Sequence, residues 1–223
     1  DLALIPAGEF QMGPDAGAED DRPARRVHLA AFRMAVHPVT HRDYARFVQA
    51  TGHRPPAIYE LPLVVTTGGD EREQAFRATG APYVWVDGEP PPGRGDHPVT
   101  LVTWEDAAAY CRWLSGAAGR DVRLPSEAEW EKAARGGHEG RRYPWGERLE
   151  PGRANFAWQT FSGPRGTTRC GSYPANDYGL CDMAGNVWEW VQDWHPPGYY
   201  EGPPESRPAA PPADAMRIVR GGS

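Results

Sequence analysis

The segment from residue 176 to residue 194 constrains the fold more than any other part of the chain. It combines turn-forming residues, acids and three tryptophans, and from Val187 onward its residues alternate as they do in a β-strand. Trp188, Trp190 and Trp194 would then share one face. Each indole buries about 150–250 Å², so we predict a strand whose tryptophan face belongs to the core.

The opposite face of this predicted strand carries an acid. Glu189 lies between Val187 and Val191, and an ionised carboxylate among apolar neighbours needs a partner. Asp182 and Glu189 flank a Gly185-Asn186 turn, and two carboxylates with turn carbonyls form the oxygen ligand set that Ca²⁺ prefers. An Asx-turn at Asp182 and an ion pair from Glu189 to an arginine would explain the same residues, because no EF-hand pattern is present.

Glycine and proline punctuate the whole chain, with 26 and 24 of its 223 residues, and they follow no repeat period. Their combined share is well above the usual one of about 12%. Disordered chains are poor in aromatics, whereas this one has nine tryptophans and nine tyrosines. Composition therefore indicates a loop-rich α+β fold with short elements and a sizeable core.

Charge and hydropathy argue against two classes of partner. The net charge is −6 and no basic stripe is visible, so we expect no nucleic-acid partner. No apolar run approaches the roughly 20 residues that a membrane span needs, so we expect no membrane partner. The sequence leaves the compartment and the oligomeric state open.

Residues that cap helices precede three amphipathic segments. Thr40 predicts a helix from about residue 41 to residue 50, which Gly52 ends. In the other two, a hydroxyl and an acid three residues later can satisfy free backbone donors, as in a capping box. These pairs are Thr103 with Asp106 and Ser126 with Glu129.

Short strands are expected on both sides of the break at residues 6–8, as a pair within residues 26–36, and at residues 216–220. Between the first two helices the pattern decays. Residues 53–95 are predicted to form a long irregular insertion with β-like runs at 61–67 and 83–86. Cys111, Cys170 and Cys181 form an odd set without metal or disulfide spacing.

Seven blocks, in order along nearly the whole chain, resemble the formylglycine-generating enzyme family, also called sulfatase-modifying factors. They are Ile5-Pro-Ala-Gly-Glu-Phe-Gln-Met-Gly13, Pro38-Val-Thr40, His97-Pro-Val99 with Thr103-Trp104, Arg123-Leu-Pro-Ser-Glu-Ala-Glu-Trp-Glu131, Tyr143-Pro-Trp-Gly146, Gly185-Asn-Val-Trp-Glu-Trp190 and Arg220-Gly-Gly-Ser223. The resemblance implies one irregular domain over residues 1–223, related to C-type lectins, whose C-terminal part is missing from this sequence.

The resemblance also implies bound calcium. The ligands of the family's first calcium site would be the side chains of Asp182 and Glu189 and the carbonyls of Gly185 and Val187. A second site would use Asn155 and the carbonyl of Phe156. Its acidic ligand is replaced near Ser162, so we do not expect the second site to be filled.

The family's enzymes oxidise a cysteine in a sulfatase peptide to formylglycine, with O₂ and a copper ion held by two cysteine thiolates, which are ligands that suit Cu(I). Neither Cys170 nor Cys181 matches a copper ligand, so copper is expected only if the chain continues with a cysteine pair. Cys111 matches a disulfide cysteine whose partner would also lie beyond the end. Ser223 matches an active-site serine of the family.

The sequence therefore leaves two main hypotheses for the function, and a different oxidative reaction is a third. The first is copper- and O₂-dependent oxidation of a peptidyl cysteine. The second is a non-catalytic, calcium-stabilised ligand-binding module, like the variable proteins of diversity-generating retroelements. The insertion at residues 53–95 lacks the Trp-rich segment of sulfatase-maturing members and resembles the broad set of relatives with other or unknown roles, which includes oxidative enzymes, domains attached to kinases and variable ligand-binding proteins. Either function predicts a peptide or protein partner.

Overall fold

The structure, a computed structural model, describes residues 1–13, 24–61, 68–156, 166–195 and 216–222. Ser223 and most of the predicted β-like run at 61–67 lie outside these ranges. The chain forms two compact units. The first comprises Asp1–His37, Leu124–Gly166 and Gly171–Ser223, and the second comprises Pro38–Arg123 and Thr167–Cys170.

The first unit contains three two-stranded antiparallel sheets. In chain order the strands are β1 (Leu2–Ile5), β2 (Gly8–Met12), β3 (Arg25–Leu29), β4 (Phe32–Ala35), β5 (Glu189–His195) and β6 (Met216–Arg220). Strand β1 pairs with β4, β2 with β3, and β5 with β6. The predicted strands on both sides of residues 6–8, the pair within 26–36 and the last strand are confirmed.

The second unit is mainly helical. Its helices are α1 (His41–Thr51), α2 (Asp70–Gly80) and α3 (Trp104–Ala118), and a short 3₁₀ turn spans Ala81–Tyr83. Thr40 caps α1, which ends at Gly52 in a left-handed conformation. The predicted capping box of Thr103 and Asp106 starts α3. The core of this unit is aromatic and consists of Tyr44, Phe47, Trp85 and Tyr110.

The remaining helix, α4 (Glu127–Ala134), belongs to the first unit and starts with the predicted capping box of Ser126 and Glu129. Its buried face packs against residues of β1, β5 and β6 and of the segment before β5. This core consists of Ile5, Trp130, Ala133, Ala134, Leu180, Met183, Val191 and Ile218. None of the described helices is long and apolar enough to cross a bilayer.

Helix α2 lies within residues 53–95, where the sequence predicted an irregular insertion. Apart from Gly80 none of its residues is buried, so it has no apolar stripe that a periodicity argument could detect. Acids in its first turn and an ion pair between Arg77 and Glu73 stabilise it locally. The β-like run at 83–86 is also wrong, since only an isolated bridge joins Val86 to Glu89.

The predicted tryptophan core of β5 is wrong as well. Trp188 is 60% exposed, and Trp190 and Trp194 are only partly buried, whereas Val191 on the opposite face is fully buried. The alternation was predicted correctly, but it does not tell which face points inward. The face with the smaller side chain, Val191, points inward because Trp130 of α4 and Ile218 of β6 already occupy the core on that side.

Candidate functional site

The turn before β5 has an unusual backbone. Asp182 and Asn186 both have positive φ angles, 59° and 68°, which few residue types other than glycine adopt readily. Gly185 between them has a φ of 81°, and a Cβ atom there would lie 2.4 Å from the carbonyl oxygen of Asn155. Only glycine fits this position. The turn is therefore held in one conformation, with Asn186 donating its backbone N–H to the same oxygen at 2.9 Å.

Two acids lie at this turn: Asp182 is buried, and Glu189 is half-buried with its Oε1 atom enclosed. The pKa of Glu189 is raised to about 7, mainly by burial. A hydrogen bond from Trp130 lowers this pKa, and the charge of Asp182 raises it. Asp182 is itself 7% exposed, and burial raises its pKa too. Two carboxyl groups that are close, buried and without an arginine or lysine partner among the described residues disfavour each other's ionisation.

Each of the two carboxyl groups has one oxygen engaged by an N–H donor. The backbone N–H of Gly171 donates to Asp182 Oδ2 at 2.7 Å, and the indole Nε1–H of Trp130 donates to Glu189 Oε2 at 2.9 Å. The other oxygen of Glu189, Oε1, is buried and has no hydrogen-bond partner in the described ranges. A buried acceptor without a donor is costly, so this atom calls for a proton or a cation.

Among the described residues, no arginine forms the alternative ion pair with Glu189. Arg220, which lies opposite Glu189 across the β5–β6 pair, instead contacts Glu131 and Glu127 of α4. The carbonyl oxygens of the turn are further atoms that a hard cation such as Ca²⁺ could use, and that of Gly185 also accepts the N–H of Val187 at 2.9 Å. In the part of the chain that the structure describes, no three His, Cys, Asp or Glu side chains converge on one point. A cation at the turn would accordingly need backbone carbonyls.

The C-terminal segment lies against the same turn. Gly221 accepts a long hydrogen bond, 3.4 Å, from the backbone N–H of Gly185. A Cβ atom on Gly221 would lie 3.0 Å from the carbonyl oxygen of Val187, and its φ is 98°. The turn thus determines where the chain leaves β6 toward Ser223.

The two residues expected at the second calcium site, Asn155 and Phe156, have partners within the protein. The Asn155 side chain is buried and donates from Nδ2 to the carbonyl of Gly166 at 2.7 Å and to Asn186 Oδ1 at 3.4 Å. The ring of Phe156 packs against Trp145. The position near Ser162 lies outside the described ranges. Asn155 therefore supports the Gly185 turn, and no group of acids faces it among the described residues.

The three cysteines do not fit a copper ion. All three are free thiols. Copper(I) binds thiolates, whereas burial raises the pKa of Cys111 to about 11 and also raises the pKa of Cys181. Cys170 Sγ points to the carbonyl of Pro38 at 3.7 Å. No step of a reaction is therefore assigned to copper on these residues.

Sequence reasoning singled out Asp182, Gly185, Val187 and Glu189 around one turn, but it missed Trp130 and Gly171, which donate hydrogen bonds to the two acids. Trp130 lies on α4, 59 residues from Glu189 along the chain. A signal existed, because a buried tryptophan needs an acceptor for its N–H. Nothing in the sequence distinguished Glu189 from the other acids as that acceptor.

Comparison with known proteins gives relatives along the whole chain. The sulfatase-modifying factor enzyme 1-like domain matches residues 1–223. The formylglycine-generating enzyme of Streptomyces coelicolor is 38% identical over 253 residues, which cover 98% of this chain and 77% of that enzyme. The serine/threonine-protein kinase pkn1 of Chlamydia pneumoniae is 40% identical over 225 residues, which cover all of this chain but only 32% of the kinase.

Relatedness in this family does not guarantee activity. The inactive Cα-formylglycine-generating enzyme 2 of Bos taurus is 35% identical over 216 residues, which cover 85% of this chain and 69% of that protein. This chain spans about a third of the chlamydial kinase and more than two thirds of the other two relatives.

Two solved structures share the fold. PvdO from Pseudomonas aeruginosa has a TM-score of 0.72 and 28% identity, with 99% of this chain and 81% of PvdO covered. Variable protein 1 of Treponema denticola has a TM-score of 0.58 and 23% identity, with 87% and 73% covered, and it therefore shows the fold alone. The expected mixed fold of the formylglycine-generating-enzyme and C-type-lectin-like type is confirmed. With seven motif blocks in order and a family match over its full length, the chain belongs to the formylglycine-generating enzyme family, that of the sulfatase-modifying factor enzyme 1-like domain.

Proposed function

We propose that this protein oxidises a cysteine side chain of a peptide or protein substrate with O₂, as formylglycine-generating enzymes do. The observation that carries the proposal is the 38% identity to the Streptomyces enzyme, which extends over 98% of this chain. The substrate is a polypeptide because the reacting group of this chemistry is a cysteine residue. Fold alone would not support an activity, since one fold hosts many functions.

Ser223 is the proposed catalytic residue within the sequence. It follows directly on Gly221 and Gly222, which are packed against the Val187 carbonyl and the Trp188 indole. Because the thiols of Cys111, Cys170 and Cys181 do not fit copper, no redox step is assigned to the described residues.

Calcium is proposed as a structural ion at the same turn. Its ligands would be the side chains of Asp182 and Glu189 and the carbonyls of Gly185 and Val187. The buried, unpartnered Oε1 of Glu189 supports this proposal, because a divalent cation would let both acids ionise inside the protein. We do not propose a filled second site at Asn155 and Phe156.

Oxygen consumption and mass spectrometry of a cysteine-containing peptide test the proposed activity. We expect O₂ uptake and conversion of the thiol to an aldehyde when calcium, copper and a thiol reductant are supplied to a protein that carries a cysteine pair after Ser223. The sulfur leaves as hydrogen sulfide, and O₂ takes two electrons from the substrate and two from the reductant. The same peptide with serine in place of cysteine should not change. A Ser223→Ala variant should lose turnover but keep its melting temperature. Peptide binding without O₂ uptake or aldehyde formation would contradict the oxidase.

That outcome would favour the second candidate, a calcium-stabilised module that binds a peptide or protein without changing it. Two observations support this candidate: the present thiols do not fit copper, and the fold is shared with the Treponema variable protein. Binding of labelled peptides, measured with and without a chelator, distinguishes the candidates when it is combined with the O₂ measurement.

A further inference from the structure

We propose that Trp130 is the positioning residue of the calcium site: its indole N–H donates to Oε2 of Glu189 and thereby fixes the orientation in which this carboxyl group presents Oε1 to the ion. This inference rests on the proposed calcium site at the turn. It assigns a role to a residue of α4 that lies outside the turn and supplies no ligand atom itself.

The contact between the two residues is specific. Trp130 is 6% exposed, and its Nε1 donates to Glu189 Oε2 at 2.9 Å. An indole has one donor and no acceptor, so the Trp130 N–H needs an acceptor at this point, and Glu189 Oε2 is that acceptor. Glu189 Oε1 is buried without a partner among the described residues. The two oxygens of one carboxylate are thus already distinguished in the absence of any ion.

A free glutamate can bind Ca²⁺ with one oxygen or with two. A rotation of the Glu189 carboxyl group that took Oε2 away from the indole would leave a buried N–H without an acceptor, which is costly, so the bond to Trp130 fixes the orientation of both oxygens. Donors of this kind orient a ligand before the ion arrives, and their loss typically weakens metal binding by about 10–100-fold.

The position of Trp130 is itself determined by the C-terminal strand. The guanidinium of Arg220 lies over the Trp130 ring at 5.3 Å and bonds to Glu131 Oε2 at 3.0 Å. The backbone of Gly221 packs beside the same indole. The indole therefore joins the calcium turn to the end of β6, and a loosened Trp130 would affect both.

The test compares two tryptophans in the full chain by titration calorimetry with calcium chloride after chelator removal. Trp130→Phe removes the N–H but keeps an aromatic ring, and we expect calcium binding at least about tenfold weaker. The matched control is Trp85→Phe in the other unit. Trp85 is 5% exposed and donates its Nε1–H to His41 Nδ1 at 2.9 Å, so the variant loses an equivalent bond. It should bind calcium like the wild type.

A second measurement uses the unsubstituted protein, in case Trp130→Phe folds poorly. In nitrogen-15 NMR spectra the indole N–H signal of Trp130 should shift on calcium addition and remain protected from solvent exchange, whereas that of Trp85 should not move. Calcium binding with an unmoved Trp130 signal, or with wild-type affinity in Trp130→Phe, would overturn the inference alone. Absence of calcium binding by the wild type would overturn the proposed site as well.

Discussion

Each unit contains an acid that the fold encloses, and the two acids differ in how many hydrogen bonds the protein gives them and in the direction of their pKa shifts. Asp106 of α3 accepts two hydrogen bonds from Arg54, at 2.9 and 3.0 Å, and further ones from His53 and Thr103. Burial by itself would raise its pKa, but these bonds lower the pKa to about 2. In the other unit, burial raises the pKa of Glu189 to about 7 and leaves Oε1 without a donor.

The difference teaches how to separate a structural acid from a candidate ligand. Asp106 is buried, Glu189 is half-buried with an enclosed Oε1, and both lie at the start of an element. Asp106 has all of its hydrogen bonds supplied by the chain itself, so it needs nothing from outside. Glu189 has a donor for Oε2 but none for Oε1 among the described residues, and this unpartnered oxygen is the feature that points to a cation.

The largest expected effect is at the satisfied acid. Asp106→Ala removes the capping box of α3 and leaves Arg54 and His53 without their acceptor. Because Arg54 is 41% exposed and water can solvate it, we expect a loss of about 3 kcal/mol in unfolding free energy. Denaturant unfolding should show the same loss with calcium and with a chelator. The control is Asp43→Ala, which removes the more exposed N3 acid of α1 and should cost about 1 kcal/mol or less. A calcium-dependent loss at Asp106 would break the comparison.

The next effect is at the unsatisfied acids and depends on calcium. At a calcium concentration of 100 times its Kd, the wild type should gain about 2.7 kcal/mol in stability. Glu189→Gln and Asp182→Ala should lose most of this gain, yet differ far less from the wild type in chelator, because the ion is then absent from all three. Thermal unfolding in both conditions measures this. Equal losses in both conditions would mean that no ion is involved.

The third expectation is a pH dependence of opposite sign for the two acids. The folded-state pKa of Glu189 is above its unfolded value. In chelator, the protein should therefore lose about 2–3 kcal/mol of unfolding free energy as pH rises from about 4.5 to about 7. The folded-state pKa of Asp106 is below its unfolded value, so its contribution is lost as pH falls from about 4 to about 2. When unfolding free energy is measured against pH in chelator, the wild type and Glu189→Gln should differ in slope only between about pH 4.5 and about pH 7.

The smallest effect is at the exposed indole of the turn. Trp188 is 60% exposed, so Trp188→Ala should change the unfolding free energy by about 0.5 kcal/mol or less. Val191→Ala on the inner face should cost more, about 1–2 kcal/mol, although the side chain is smaller. Denaturant unfolding of the two variants measures which face of β5 carries the core. A larger loss at Trp188 would show that the face is covered.

Local chemistry explains which parts of the fold were predictable. The caps at Thr40, Thr103 and Ser126 depend on side chains within three residues, so the sequence determines them. Helix α2 was missed because nearly all of its surface faces solvent, and periodicity detects only helices with a buried stripe. The orientation of β5 was predicted in the wrong sense because alternation defines two faces but not their neighbours.

By itself the sequence determined the family, the short elements and the pair of acids around a glycine turn, since these follow from motif order and from contacts between residues close along the chain. Only the tertiary structure decided which acid has a partner. Trp130 and Gly171 approach the turn from other segments, and Arg220 pairs with α4 instead of with Glu189. Burial and hydrogen bonding depend on distances between segments far apart in sequence, and these set the charge state of Glu189.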